Sequence, residues 1–305
     1  MSQPHEILLS LGKNLEPVRC AVVHPCSLEA LRSALEARDY GLVDPVLVGP
    51  EERIRNLAEG NGLDLSGMDI VPAPYSQASA LVAVDMAVAG KVEALMKGSL
   101  HTDEMMHAAL VNRDFKTRHR LSHVYRFEVP LYNKPLLISD AVLNIRPTLT
   151  EKVDIVQNAI TLSEILGVFM PQVALLSAIE SVNPELPSTL DAAALCKMAE
   201  RGQITGAILD GPLAFDSAIS KEAARIKQIQ SDMPGNADIL IVPDLESGNM
   251  LAKQLEYLAN ATASGVVVGG QVPIALTGSA DGLPSRIGSA LLAKLIAHHQ
   301  RRLRR

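Results

Sequence analysis

The 305-residue chain has no tryptophan, and aromatics make up only 3% of it. Stacking platforms for nucleic-acid bases are therefore not available in number. A basic surplus is missing too: 28 Lys and Arg stand against 34 Asp and Glu, a net charge of −6. That sign argues against a dedicated nucleic-acid binder. Cysteine is sparse and odd in number, with Cys20, Cys26 and Cys196 only. The three read as reduced thiols in a cytoplasmic protein. No uninterrupted apolar run reaches the ~18 residues of a membrane-spanning helix. The opening MSQPHEILLSLGKN lacks the basic start, apolar run and small-residue cleavage site of a signal peptide.

Several chemical signatures are absent as well. There is no GxxxxGK[ST] loop and no GxGxxG, so neither a P-loop nor a dinucleotide fingerprint is supported. No CxxC, HExxH or GxSxG occurs, and His101 and His107 are six apart rather than four. Asp140, Asp210 and Asp244 could in principle assemble a Mg²⁺ site from strand ends, but no metal is expected. What is present is a globular composition, 48% apolar and 20% charged, which excludes disorder over most of the length. At roughly 150 residues per domain, the length suggests two domains or one large one.

Short β-branched runs alternate with Ala/Leu-rich helical stretches. Strands are expected at Val18–Val23, Pro45–Val48, Ile70–Val71, Val92–Met96, Val173–Leu176, Ala207–Leu209, Ile239–Val242 and Gly265–Val268. The last three are of buried type. Helices are expected at Ser27–Arg38 with Ser27 as N-cap, Glu51–Glu59, Ser76–Ala89, Ser188–Arg201 and Ser285–His298. Thr148-x-x-Glu151 reads as a capping box opening a helix that Gly167 ends. This alternation implies βαβ units, an α/β fold and mostly parallel sheets. Between Leu121 and Asn144 two strand-like runs, His123–Val129 and Leu136–Ser139, are joined by a turn with no helix, a plausible domain junction. The basic tail Arg301–Arg305 reads as a solvated helix end.

Ligands of parallel α/β sheets bind beyond the carboxyl ends of strands. Small and polar residues recur there: Lys97-Gly98-Ser99 before a helix near Thr102, Ser139-Asp140, Ser177–Glu180, Asp210-Gly211-Pro212, Pro243-Asp244 with Glu246–Asn249, and Thr277–Gly282. Turns favour these residue types on their own account, but six such loops should converge on one rim. Lys97-Gly98-Ser99 and Gly278–Gly282 are the phosphate candidates. The first leads into a helix near Thr102, so free backbone N–H groups, a hydroxyl and an ammonium could meet an anion there, and the second also precedes a helix.

Leu95–Thr102, read LMKGSLHT, resembles the phosphate acetyltransferase and phosphate butyryltransferase family. So do Leu121-Ser122-His123-Val124, Ile138–Ala141, Leu209–Asp216 and Val242–Met250, in that order. The resemblance covers nearly the whole chain. It implies two α/β domains facing a cleft, like isocitrate and isopropylmalate dehydrogenases, with the C-terminal segment returning to the first. The boundaries would be 1–126 plus 265–305, and 127–264. It further implies a homodimer with acyl-CoA and inorganic phosphate as substrates and no cofactor, neither metal nor nucleotide. The expected reaction is a short-chain acyl-CoA, acetyl or butyryl, plus phosphate giving acyl phosphate and CoA.

Family members carry a serine–arginine pair in a loop read SRAD or SRG, the serine for the carbonyl and the arginine for phosphate. Here that loop is Thr277-Gly278-Ser279-Ala280-Asp281. Without a gap Gly278 stands at the serine's place and Ser279 at the arginine's. A one-residue slip restores Ser279 as the serine, and the arginine is missing in either register. His107 stands where the family tends to be basic. The catalytic expectation is Ser279 as donor to the carbonyl and Asp281 as the group that assists the thiol. Substrate binding is expected from Lys97, Gly98, Ser99, Thr102 and His107, from Asp210, Gly211, Asp244, Gly248 and Asn249, and from Gly278 and Arg286. Lys97, Arg118, Arg120 or Arg286 would make up for the lost guanidinium. Two other readings compete: a non-catalytic or altered-function member that binds CoA esters, and a nicotinamide-dependent dehydrogenase of the wider fold.

Overall fold

A computed structural model describes residues 3–231, 233–278 and 281–304. The chain divides into two compact units, 1–119 with 264–305, and 120–263. The boundaries expected from the sequence, 126/127 and 264/265, differ from these by seven residues and by one.

In the first unit the strands are β1 (Val18–Val23), β2 (Val43–Gly49), β3 (Asp69–Pro72), β4 (Ala94–Lys97), β10 (Thr262–Val268, from residue 264 on) and β11 (Ile274–Leu276). Their order is β3-β2-β1-β4-β11-β10. Every pairing from β3 to β11 is parallel, and β10 lies antiparallel on β11. β1 has the sequence VRCAVV, and all but Arg19 are buried. That near-continuous apolar run suits a strand covered on both faces. Arg19, the exception, turns out to Asp44 at 2.8 Å and to Asp69.

The helices of this unit are α1 (Gln3–Gly12), α2 (Leu28–Asp39), α3 (Glu51–Gly60), α4 (Ser76–Val88), α5 (Thr102–Val111) and α11 (Leu283–Leu303). Ser27 caps α2, its hydroxyl accepting from the Ala30 N–H. Chain order runs β1, β2, β3 outward and then returns to β4 on the other side of β1. The strand order therefore reverses between β1 and β4, the place where such sheets bind ligands.

The second unit holds β5 (Ser122–Glu128), β6 (Leu136–Ser139), β7 (Gln172–Leu176), β8 (Ile208–Leu213) and β9 (Ile239–Ile241), in the order β5-β6-β9-β7-β8. β5 and β6 form the expected antiparallel pair, and the remaining pairings are parallel. The helices are α6 (Leu149–Ile165), α7 (Pro187–Glu200), α8 (Phe215–Ile219), α9 (Lys221–Ile226) and α10 (Leu245–Leu258). Both halves of the capping box are in place on α6: the Glu151 N–H reaches Thr148 Oγ1, and the Thr148 N–H donates to Glu151 at 2.8 Å. Phe127, Ile138, Leu240 and Ala237 lie at the centre of this unit's core, each fully buried.

Two details depart from the sequence reading. β8 is an edge strand, not a buried one, and Ile208 is 53% exposed. An apolar run alone does not tell an edge from a centre, because strand order is a tertiary property. α1 was not foreseen; Gly12 at its end lies flat against Leu291 of α11, where a Cβ would come within 2.4 Å of a side-chain carbon.

Candidate active site

A cavity of about 250 Å³ opens in the first unit at the reversal of strand order. Six residues singled out from the sequence line it: Lys97, Gly98, Ser99, Gly278, Asp281 and Arg286. They come from the end of β4, the loop after β11 and the start of α11. The first turn of α2, with Ser27 and Glu29, closes it. That wall was not foreseen as part of a site, although Ser27 follows the carboxyl end of β1 and the strand-end rule applies there equally.

Lys97 is half-buried, and its ammonium meets only the Gly98 carbonyl, at 3.4 Å, among the hydrogen bonds of the described residues. Burial pulls its pKa below the ordinary lysine value, and Asp281 partly opposes that. Gly98 is required where it is. A Cβ there would stand 2.2 Å from the Val23 carbonyl oxygen and 2.8 Å from that of His24. Only a residue without a side chain lets the turn sit so close to the end of β1.

That close seating uses up the turn's own donors. The Gly98 N–H donates to Val23 O at 2.9 Å and the Ser99 N–H to His24 O at 3.0 Å. The Ser99 hydroxyl donates to His24 O at 2.7 Å and accepts from the Cys26 N–H at 3.1 Å. The expectation that these N–H groups would face an anion gives way here, because the carbonyls of Val23 and His24, at and just past the end of β1, take them first. Among the described residues, the donors open to a ligand include the Lys97 ammonium and the N–H groups of Leu28 and Glu29, which lie in the first turn of α2 and have no intrahelical acceptor. An anion beside a helix N-terminus is stabilised by the same partial charges.

Arg286 lines the cavity with its guanidinium already held. Glu36 takes it through Nε and Nη2, and Nη1 donates to the Asp281 carbonyl at 2.7 Å. It ties the loop to α2 rather than presenting an open fork. Asp281 accepts the Gly278 N–H at 2.7 Å, which bends the loop back on itself. It is not the cap of α11; that position belongs to Gly282. Ser279 and Ala280 lie outside the described residues.

The other sequence candidates are not among the residues lining this cavity. Thr102 opens α5, and His107 is exposed along the same helix. Four of the five candidates from the second unit also serve its own architecture. Asp244 caps α10, accepting from the Ser247 N–H and hydroxyl, each at 2.8 Å. Gly248 lets α10 touch Ala141, whose Cβ would be 3.1 Å from an added methyl, and Asn249 donates to the Ala141 carbonyl at 3.4 Å. Gly211 lies against Leu175, with Leu175 Cβ 2.7 Å from where its own Cβ would be. Asp210 keeps one buried carboxylate oxygen without a hydrogen-bond partner among the described residues. Arg120, weighed as a substitute cation, is engaged by Glu151 at 2.7 Å and by Asn144.

Three comparisons bear on this site. The family described as "Phosphate acetyl/butaryl transferase" matches residues 73–293. A phosphate acetyltransferase of Rhizobium meliloti is 50% identical over 298 residues, 97% of this chain and 94% of that protein. A phosphate butyryltransferase of Clostridium acetobutylicum is 37% identical over 295 residues, 96% of this chain and 97% of that one. In structure, a phosphotransacetylase from Streptococcus pyogenes superimposes with a TM-score of 0.83 at 20% identity, over 98% of this chain and all of that one; at that identity the likeness concerns the fold.

Proposed function

The chain belongs to the phosphate acetyl/butyryl transferase family, and from that premise we propose how its first unit carries the reaction. The chain is a phosphate acyltransferase: short-chain acyl-CoA and inorganic phosphate give acyl phosphate and free CoA. A phosphate oxygen attacks the thioester carbonyl carbon, the C–S bond breaks, and the proton that phosphate gives up ends on the thiol.

Lys97 and the first turn of α2 hold the phosphate in the cavity, which turns the encounter into an oriented attack. The observation that carries this assignment is the half-buried Lys97 ammonium, with no carboxylate in hydrogen-bond contact, beside N–H groups that have no intrahelical partner. Ser279 donates to the carbonyl oxygen as charge develops there. Asp281 passes the proton to the departing thiolate, and takes it from the thiol in reverse. Arg286 holds the Asp281 loop in place. The reaction needs no resident metal or nucleotide in this reading, because the thioester is already an activated acyl donor.

The chain acts as a cytoplasmic homodimer in this proposal. Its sparse cysteines support a reducing compartment. Among the described residues no helix is long and apolar enough to cross a membrane. The test is CoA release from acetyl-, propionyl- and butyryl-CoA, with and without phosphate, read with a thiol reagent. Phosphate-dependent release is the expected result, and the best substrate sets the acyl class. Release that ignores phosphate would overturn the proposal.

A further inference from the structure

We propose that His24 is a positioning residue for the phosphate-holding turn and that it works through its main chain. The proposal rests on the reading of Lys97 given above. His24 follows β1 with φ at +54°, a left-handed conformation that few residues other than glycine adopt; Asn, Asp and His are the ones enriched there. Such outliers collect at ligand clamps and active sites, where the surroundings over-determine them.

The turned backbone aims one carbonyl oxygen at three donors. They are the Ser99 hydroxyl at 2.7 Å, the Ser99 N–H at 3.0 Å and the Cys26 N–H at 2.8 Å. One oxygen thus joins two walls of the cavity. Ser99 belongs to the turn that carries Lys97, and Cys26 immediately precedes the Ser27 cap of α2. The contact has little slack, since an added Cβ on Gly98 would fall 2.8 Å from the same oxygen. Behind the carbonyl the ring is fixed as well: Nδ1 lies 3.2 Å from Ser79 Oγ, and that hydroxyl donates to the Tyr75 carbonyl at 2.8 Å. An extended backbone at residue 24 would point the oxygen away from Ser99 and let the Lys97 turn drift from the start of α2.

The experiment is steady-state kinetics on His24→Asn, His24→Gly, His24→Ala and His24→Val, with Lys97→Met as reference. Asn and Gly enter the left-handed region readily, whereas Ala and above all Val resist it. The Asn and Gly variants should keep the KM for phosphate within about threefold of the parent. The Val variant should raise it about tenfold or more, with the KM for the acyl-CoA unmoved. If Val does not fold, Ala makes the same backbone demand without the branched side chain. A parental phosphate KM in the folded Val or Ala variant would overturn the inference. So would Asn and Gly variants as impaired as Val, since the ring and not the carbonyl would then matter. Lys97→Met separates the two levels. An unchanged phosphate KM in that variant would remove the phosphate turn itself, while a raised one with a flat His24 series removes only the role of His24.

Discussion

Arg286 and Glu36 meet fork to fork, with Nε 2.9 Å from one carboxylate oxygen and Nη2 2.8 Å from the other. Both side chains are mostly shielded, at 19% and 28% exposure. Arg286 is therefore a brace between α11 and α2, and its two best donors are spent before any phosphate arrives.

Arg286→Met should therefore act on stability first. Removing one partner of a shielded, bidentate pair leaves Glu36 uncompensated, a loss of about 1–3 kcal/mol. Thermal unfolding should register that loss. The phosphate KM should move much less than in Lys97→Met, and an equal rise in both variants would return Arg286 to the phosphate.

Gly98→Ala tests the seating of the turn. Its new methyl would meet two backbone oxygens, neither of which can rotate away as a side chain would. A cost of about 1–3 kcal/mol is expected from such overpacking, together with a sharp loss of phosphate-dependent turnover. A variant with parental Tm and kinetics would show that the close contact is dispensable.

Asp281→Asn separates proton transfer from loop shape. The amide oxygen can still accept the Gly278 N–H that now goes to the carboxylate, so the fold of the loop should survive. A carboxylate that moves the thiol proton would be missed by about 10²-fold or more in kcat. Turnover that stays at the parental rate would leave Asp281 a purely structural task.

The pH dependence of phosphate binding should report Lys97. Burial lowers its pKa below that of an ordinary lysine, so the ammonium is lost at a lower pH than usual. The phosphate KM should rise as pH climbs through that lowered value, and it should be flat on the acid side of it. Lys97→Arg, which stays charged at all such pH values, should abolish this alkaline limb while leaving others. A limb that persists in the Arg variant belongs to another group.

His123 should shape acid stability. It is 1% exposed, neither ring nitrogen has a hydrogen-bond partner among the described residues, and burial pushes its pKa down to about 3. The unfolded chain takes up the proton near pH 6.5 and the folded chain does not. Stability is therefore full above pH 6.5 and falls below it by about 1.4 kcal/mol per pH unit, down to the folded value. Asp140, raised by its own burial, pulls in the opposite sense. Comparing the parent with His123→Phe cancels that contribution. Between pH 6.5 and 5 the parent should lose about 2 kcal/mol more than the variant. Parallel unfolding curves would show that the ring is protonated in the fold.

The helices with a capping signal were the most legible parts. Ser27 and the Thr148/Glu151 box appear as caps because both partners lie within four residues of each other. The parallel strands were legible as buried runs, and the β5–β6 pair as two runs without a helix between them. The long motifs were equally plain, and some of their residues also serve packing. Asp244 caps α10, and Gly248 and Asn249 make its contact with Ala141.

By itself the sequence determined the α/β class, most of the elements and the family, since these rest on periodicity, caps and short ordered motifs. Only the tertiary structure decided which donors remain for a ligand. The N–H groups of Gly98 and Ser99 stand free in a reading of their own segment, but strand order sets them against carbonyls at residues 23 and 24. Arg286 looks available beside Asp281 until Glu36, 250 positions earlier, closes on its guanidinium. A donor's freedom depends on which distant acceptor reaches it first, and chain neighbours do not carry that information.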